Sequence, residues 1–407
     1  MKKYLSTAAI FLTIALFSSS CKKNLDQAGP MDDANNGNPA TTARTTGFTT
    51  ADLQVLSNKL ATQMDGKCIG YSYIISYQGN AVLSKSGGFS RSAPDFPLRQ
   101  FSVNDRYSTA SVSKTITAAA LMNILNAWGG IDLNLDQPMW SFLPSHWVMG
   151  PGVKTITFRQ LLTHTSGLRY DPIPLNPQNG DDYQTLKNLL AQGIMMFNKV
   201  TSYNNRNFAL MRLLIPKLAA YNVPAIAAGT QGVILSALEN IQASRFADDY
   251  KDYCRKVIFS KMTSTAGQTI DCKMNDTYPG LCYAFPMNGA NGVLAGKDLT
   301  LTCAAQGWVL NTTQVNEFFT KLQYSSALIP ASLGKLMKTG KLGYDNAGTL
   351  SDGTTYYWKN GIYYLGGSSG YRSLIIGFSD DIQITIMANS TMTLQNAATT
   401  AHQLWHP

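Results

Sequence analysis

The stretch "RYSTASVSKTITAAALMNIL" (106–125) crowds five hydroxyl side chains, Ser108, Thr109, Ser111, Ser113 and Thr115, around Lys114 and then turns apolar. The apolar run predicts a helix, and Ser and Thr are ordinary residues for the start of one. One pair in the crowd carries more. Ser111 and Lys114 are three residues apart, which on a helix places them on one face, at the positive end of the helix dipole. An amine held beside a hydroxyl in that position is an arrangement for activating a serine nucleophile. Ser-x-x-Lys is common by chance, so its meaning depends on the rest of the chain.

Working outward, "IGYSYIISYQGNAVLSKSGGFS" (69–90) alternates as two strands about a Gln-Gly-Asn turn. "TADLQVLSNKLATQM" (50–64) predicts a helix with a Thr cap and Leu53, Leu56 and Leu60 at helical spacing. "TITFRQLLTHTSGL" (155–168) reads as a short helix ending at Gly167, and from Asp181 to about Phe319 helical patterning dominates. The end returns to strands, "GIYYLGG" (361–367), "YRSLIIGF" (371–378) and "IQITIMANS" (382–390), before a closing helix, "LQNAATTAHQLW" (394–405). Strands, a helical insert, strands and a helix predict an α+β fold, an α/β sandwich whose sheet is built from both ends of the chain. We place the sheet lobe at about 49–105 and 330–407 and the helical lobe at about 106–329, with a cleft between lobes as the place for a site.

The first residues read as an address. Lys2 and Lys3 form a basic head, "YLSTAAIFLTIALF" (4–17) is an apolar run of signal-peptide length, and "SSSC" sets small residues before Cys21. This resembles a bacterial lipoprotein signal over 1–20, with lipid on Cys21, and implies an exported protein tethered to a membrane. Residues 21–48 are polar and rich in Asn, Gly, Thr and Pro, as a flexible tether is. The folded domain is expected over 49–407.

Net charge is +9 over 407 residues, without a long Lys/Arg run, which argues against a nucleic-acid partner. Five cysteines follow Cys21. Cys272 and Cys282 flank a Pro-Gly turn signal and are the first candidates for a disulfide, with buried small hydrophobes as the other reading. Four dispersed histidines and no Cys-x-x-Cys pair give no reason to expect a metal. No phosphate loop is present, so no cofactor is expected.

The companions of Ser111 come downstream. "SYNNRNFALMRLL" (202–214) sets Tyr203 and Asn205 at the head of a helix, and "LLTHTSGL" (161–168) precedes it. With Ser111 and Lys114, these elements resemble the superfamily of serine β-lactamases and penicillin-binding carboxypeptidases, in its class C and esterase-like branch, over roughly Thr50 to the C-terminus. The resemblance implies a β-lactamase-like fold and a serine hydrolase in which Lys114 and Tyr203 handle the Ser111 proton. Chemistry agrees, since a lysine beside a phenol favours the phenolate, and Asn205 offers a donor and an acceptor, one for Lys114 and one for a substrate amide. His164 tempts towards a Ser-His pair, but in relatives this motif is structural, and it is left out of the catalytic set.

The third element of the resemblance departs from pattern. Lys338-Thr339-Gly340 matches literally and Lys359-Asn360-Gly361 nearly. Two strands and a helix should follow the element, which selects "YYLGGSSGY" (363–371) and puts Tyr364 where relatives carry Lys or His. Tyr364, Gly366 and Gly367 are then the expected substrate-binding residues, with the Gly367 and Ser111 N–H groups as the oxyanion hole. A neutral Tyr364 implies weaker recognition of a substrate carboxylate, with Arg372 or Lys359 as candidate replacements for the charge. The expected substrate is a small molecule or a peptidoglycan peptide, carried through an acyl-enzyme. A true β-lactamase and a non-catalytic binding lipoprotein of the same fold are the alternatives.

Overall fold

The helix expected at 50–64 forms as α1 (Thr50–Met64). Its cap is Thr49: the Thr49 hydroxyl accepts the Asp52 N–H, and the Asp52 carboxylate accepts the Thr49 N–H in return. Leu53, Leu56, Leu60 and Met64 fall on one side and are buried. This computed structural model describes residues 47–127, 134–168, 182–195, 199–223, 225–366 and 369–405. Cys21, the proposed tether and Gly367 lie outside the described residues.

The strands are β1 (Gly70–Tyr77), β2 (Asn80–Arg91), β3 (Arg99–Gln100), β4 (Tyr107–Ser108), β5 (Val309–Leu310), β6 (Asn346–Thr349), β7 (Thr355–Gly366), β8 (Ser369–Phe378) and β9 (Ile382–Ala388). After α1 come α2 (Ser113–Ala127), α3 (Phe158–Leu162), α4 (Tyr183–Gln192), α5 (Asn205–Ala209), α6 (Met211–Leu218), α7 (Gly232–Val257), α8 (Thr312–Tyr324), α9 (Ala331–Thr339) and α10 (Leu394–Trp405). One seven-stranded antiparallel sheet runs β3-β2-β1-β9-β8-β7-β6, and β4 pairs with β5 separately. The two ends of the chain meet where β1 pairs with β9, Tyr71 opposite Ala388 and Tyr77 opposite Ile382. The helical insert lies between two sets of strands, as the element order read from sequence predicts.

Alternate residues of a strand face opposite sides, and the two sides of this sheet differ in chemistry. Tyr71, Tyr73 and Ile75 of β1 and Ile382, Ile384 and Ile386 of β9 form an apolar core with α1 and α10. On the other side, Ser72, Ser76 and Thr385 are buried under α8. The Ser72 hydroxyl bonds Thr312 at 2.6 Å, and Ser76 and Thr385 donate to Asn316 Oδ1 at 3.0 and 3.3 Å. Buried hydroxyls need such partners. A second apolar core, with Ile116 and Leu121 of α2 and Phe318 and Phe319 of α8, fills the helical lobe.

Two expectations change. β7 begins at Thr355, well before the Gly361 start read from sequence, because Lys359, Asn360 and Gly361 interrupt the apolar alternation while the backbone stays paired to β8 from Tyr356. Cys272 and Cys282 are separate buried thiols, so the packing reading holds and the pair does not. Among the described residues no helix is long and apolar enough to cross a membrane, and no three His, Cys, Asp or Glu side chains gather as a metal site.

Candidate active site

Ser111 lies in a 3-10 turn, Ala110–Val112, immediately before α2. Ala110 has φ 40°, a left-handed conformation that costs an alanine energy and that surroundings must enforce. The neighbouring hydroxyls help enforce it. Ser108 Oγ accepts the Ala110 N–H at 3.3 Å, Thr109 and Ser113 bond each other at 2.8 Å, and Ser373 of β8 donates to the Thr109 carbonyl at 2.8 Å. Thr115 donates to the Gly343 carbonyl at 2.8 Å. Four of the five hydroxyls thus fasten the turn and the head of α2. Ser111 is the one that meets Lys114.

Lys114 is fully buried. Its Nζ donates to Ser111 Oγ at 3.0 Å, Asn205 Oδ1 at 2.7 Å and the Ala305 carbonyl at 2.8 Å. An ammonium has three N–H donors, and these three acceptors compensate the loss of water that burial imposes. Asn205 is placed by the start of α5, where the Asn204 side chain caps the helix by accepting the Arg206 N–H at 3.0 Å.

Tyr203 stands just before that cap, and its hydroxyl donates to Ser111 Oγ at 2.7 Å. Its residue is 46% exposed, so the phenol opens to the cleft. Burial of the hydroxyl end pushes its pKa up, but the ammonium groups of Lys114 and Lys359 outweigh this and hold the phenol below its ordinary value. Those two ammonium groups lie 5.1 and 5.0 Å from the ring centre.

His164 braces this tyrosine. Its ring centre is 4.4 Å from that of Tyr203, and Nδ1 accepts the Asn204 N–H at 3.2 Å and faces the Asn207 amide at 3.1 Å. That pattern assigns the proton to Nε2. Burial first, then the charges of Lys114 and Lys359, push the imidazolium pKa down to about 2, so the ring is neutral. It packs and accepts. His164 also takes the left-handed position after α3, φ 57°, ahead of the expected Gly167.

The strand that carries the third element, β7, corrects the sequence reading. Lys359, Gly361 and Tyr363 face the nucleophile side of β7, whereas Tyr364 belongs to the opposite side with Tyr356 and Trp358. Lys359 is 1% exposed and forms an ion pair with Asp345. A Cβ on Gly361 would lie 2.5 Å from the Thr109 carbonyl and 2.1 Å from Ser373 Oγ, so only glycine lets β7 approach the Ser111 turn. Tyr364, 63% exposed, accepts a hydrogen bond from Arg372 at 3.0 Å, with no bond to Ser111, Lys114, Tyr203 or Asn205 among the described residues. Gly366 ends β7 opposite Ser369. The near match Lys359-Asn360-Gly361 is the signal the sequence offers: β8, β9 and α10 follow it as they follow Tyr364, so their order does not separate the two. Lys338 lies on α9 with its ammonium over the Tyr357 ring.

β6 covers β7 only from Thr355 to Trp358. Beyond Asn360, whose N–H donates to Asp345 Oδ2 at 2.7 Å, the backbone groups of Ile362 and Tyr364 face the uncovered side by strand alternation. A strand edge therefore runs past the nucleophile. Further along, Tyr363 and Leu365 line a cavity of about 550 Å³ with Lys273, Lys297 and Asp298.

The chain matches the Beta-lactamase family over residues 56–226. It is 38% identical over 106 residues to the acyltransferase calJ of Penicillium decumbens, a match spanning 23% of this chain and 24% of that protein. The structure is similar to FmtA from Staphylococcus aureus, with TM-score 0.61, 16% identity and coverage of 88% of this chain and 90% of that one. It is also similar to the D-amino acid amidase from Ochrobactrum anthropi SV3, with TM-score 0.58, 14% identity and coverage of 87% and 98%. Ser111, Lys114, Tyr203 and Asn205 all lie within the segment that matches the Beta-lactamase family, and the fold around them is similar to that of these solved structures.

Proposed function

We propose that the protein is an exported serine hydrolase that acylates Ser111 with an ester or amide substrate and releases the acyl group to water. The observation that carries this reading is Ser111 Oγ held between the Tyr203 hydroxyl at 2.7 Å and the Lys114 ammonium at 3.0 Å. With Tyr203 neutral, Ser111 accepts from both. Loss of the phenol proton reverses one bond, and the phenolate becomes the acceptor of the Ser111 proton.

Ser111 Oγ then attacks the carbonyl carbon as its proton moves to Tyr203, and the carbonyl oxygen takes the negative charge. Collapse re-forms the carbonyl, breaks the bond to the leaving group and returns the Tyr203 proton to it. Water repeats the sequence on the ester so formed, with Tyr203 as base, and frees Ser111. Lys114 stays paired to Asn205 and Ala305 and supplies the field that keeps the phenolate accessible. The uncovered edge of β7 offers an extended acyl chain backbone hydrogen bonds beside Ser111. Two of the similar proteins carry names of acyl chemistry, an acyltransferase and an amidase. We further propose that lipid on Cys21 tethers the domain to a bacterial membrane, on the motif at 1–21.

The test is intact-mass analysis of the whole chain after a fluorophosphonate probe, and separately after a penicillin, beside Ser111→Ala. We expect a fluorophosphonate adduct on the wild type that the variant lacks. Penicillin labelling would draw the substrate towards peptidoglycan. No Ser111-dependent adduct from either reagent on folded protein would overturn the hydrolase reading in favour of a binding lipoprotein.

A further inference from the structure

The cation nearest the phenol on β7 is engaged by the protein itself. Asp345 Oδ1 accepts from the Lys359 ammonium, and Oδ2 accepts the Asn360 N–H at 2.7 Å. The Asp345 N–H in turn donates to the Trp358 carbonyl at 2.9 Å. Asp345 is therefore fastened to three consecutive residues of β7, to Lys359 and Asn360 through its carboxylate and to Trp358 through its backbone. The Lys359 side chain is 2% exposed and that of Asp345 22%, so an incoming anion meets the negative partner ahead of the cation.

Among the described residues, Lys114, Arg372, Lys273 and Lys297 do not take its place. Lys114 is engaged by Ser111, Asn205 and Ala305. Arg372 bonds Tyr364 on the opposite side of β7. Lys273 and Lys297 line the cavity beside Tyr363 and Leu365, two and four residues past Gly361, about 7 to 14 Å along a strand. Lys273 also faces Asp298 at 3.6 Å. Those lysines suit a charge at the far end of a substrate.

We infer that Asp345 is a specificity-determining residue: by holding Lys359 it denies that cation to substrate, and the site takes acyl compounds with no carboxylate beside the scissile bond. This rests on the acyl-enzyme reading above. Like-charge juxtaposition is an effective way to reject a wrong ligand.

The experiment compares two aryl esters of one acyl group, phenyl and 3-carboxyphenyl, each normalised to its hydroxide-catalysed rate. The whole chain is assayed as wild type, as Asp345→Asn and as the double variant Asp345→Asn/Lys359→Met, with thermal unfolding of each. The wild type is expected to favour the neutral ester in kcat/KM by about tenfold or more. Asp345→Asn, nearly isosteric, is expected to shift the ratio towards the anionic ester by about tenfold, and the double variant to lose that shift. A wild type that takes the anionic ester as readily as the neutral one overturns the inference whether or not the variant folds. So does a cooperatively folded Asp345→Asn whose ratio is unchanged. Absence of Ser111-dependent turnover of either ester instead removes the acyl-enzyme reading beneath it.

Discussion

The two faces of β7 are one residue apart in sequence and opposite in what they meet. On one, Lys359 lies buried over the Tyr203 ring and Gly361 lets the strand touch the Ser111 turn. On the other, Tyr364 is exposed and stacks with Arg372, 5.3 Å from ring centre to guanidinium. The difference shows that the third element of such a site is defined by the face of the strand that reaches the nucleophile as much as by a residue count from a turn. A polar residue on the buried face sits in low dielectric, where its charge acts strongly on a neighbour. The same charge on the solvent face is screened.

The sharpest way to break this comparison is Lys359→Met. It removes one of the two cations that hold the Tyr203 phenol below its ordinary value. The form that accepts the Ser111 proton is the phenolate, so the acylation rate rises with pH through the depressed pKa and levels above it. Without Lys359 that pKa rises, and the rising limb moves to higher pH. Loss of a preorganised charge of this kind costs about 10²- to 10³-fold in kcat. An unmoved pH limb in the variant would show that Lys359 is not coupled to Tyr203. Next in size is Gly361→Ala, which forces a methyl group against the Thr109 carbonyl. Overpacking of this kind costs about 1–3 kcal/mol, read as a lower midpoint in urea, and the Ser111 adduct should form more slowly because the clash lies on its turn. The smallest effect belongs to Tyr364→Phe. Its hydroxyl meets Arg372 at the surface, so stability should stay within about 0.5 kcal/mol, with kcat/KM hardly changed. A large loss of kcat/KM there would restore Tyr364 to the site.

The site was readable in the sequence wherever a residue's partner is fixed by local geometry. Ser111 and Lys114 are separated by one turn of chain, and Asn205 sits at a helix start whose cap is written in Asn204. Their shared environment is long-range, with Lys114 meeting Asn205 across 91 positions, and here the family resemblance supplied what pattern could not. The packing of His164 against Tyr203 has no signature in sequence, since stacking of two rings from separate segments depends on how α3 and α5 meet.

The sequence by itself determined the elements: capped helices, alternating strands, and a sheet assembled from both ends of the chain, because side-chain periodicity and backbone sterics act over a few residues. The tertiary structure alone decided that β7 starts at Thr355, that Lys359 turns to the nucleophile and Tyr364 away, and that Asp345 captures Lys359. The period of a strand is two, so a shift of one residue exchanges its faces. Only the packing of β7 between β6, β8 and the Ser111 turn selects between those arrangements.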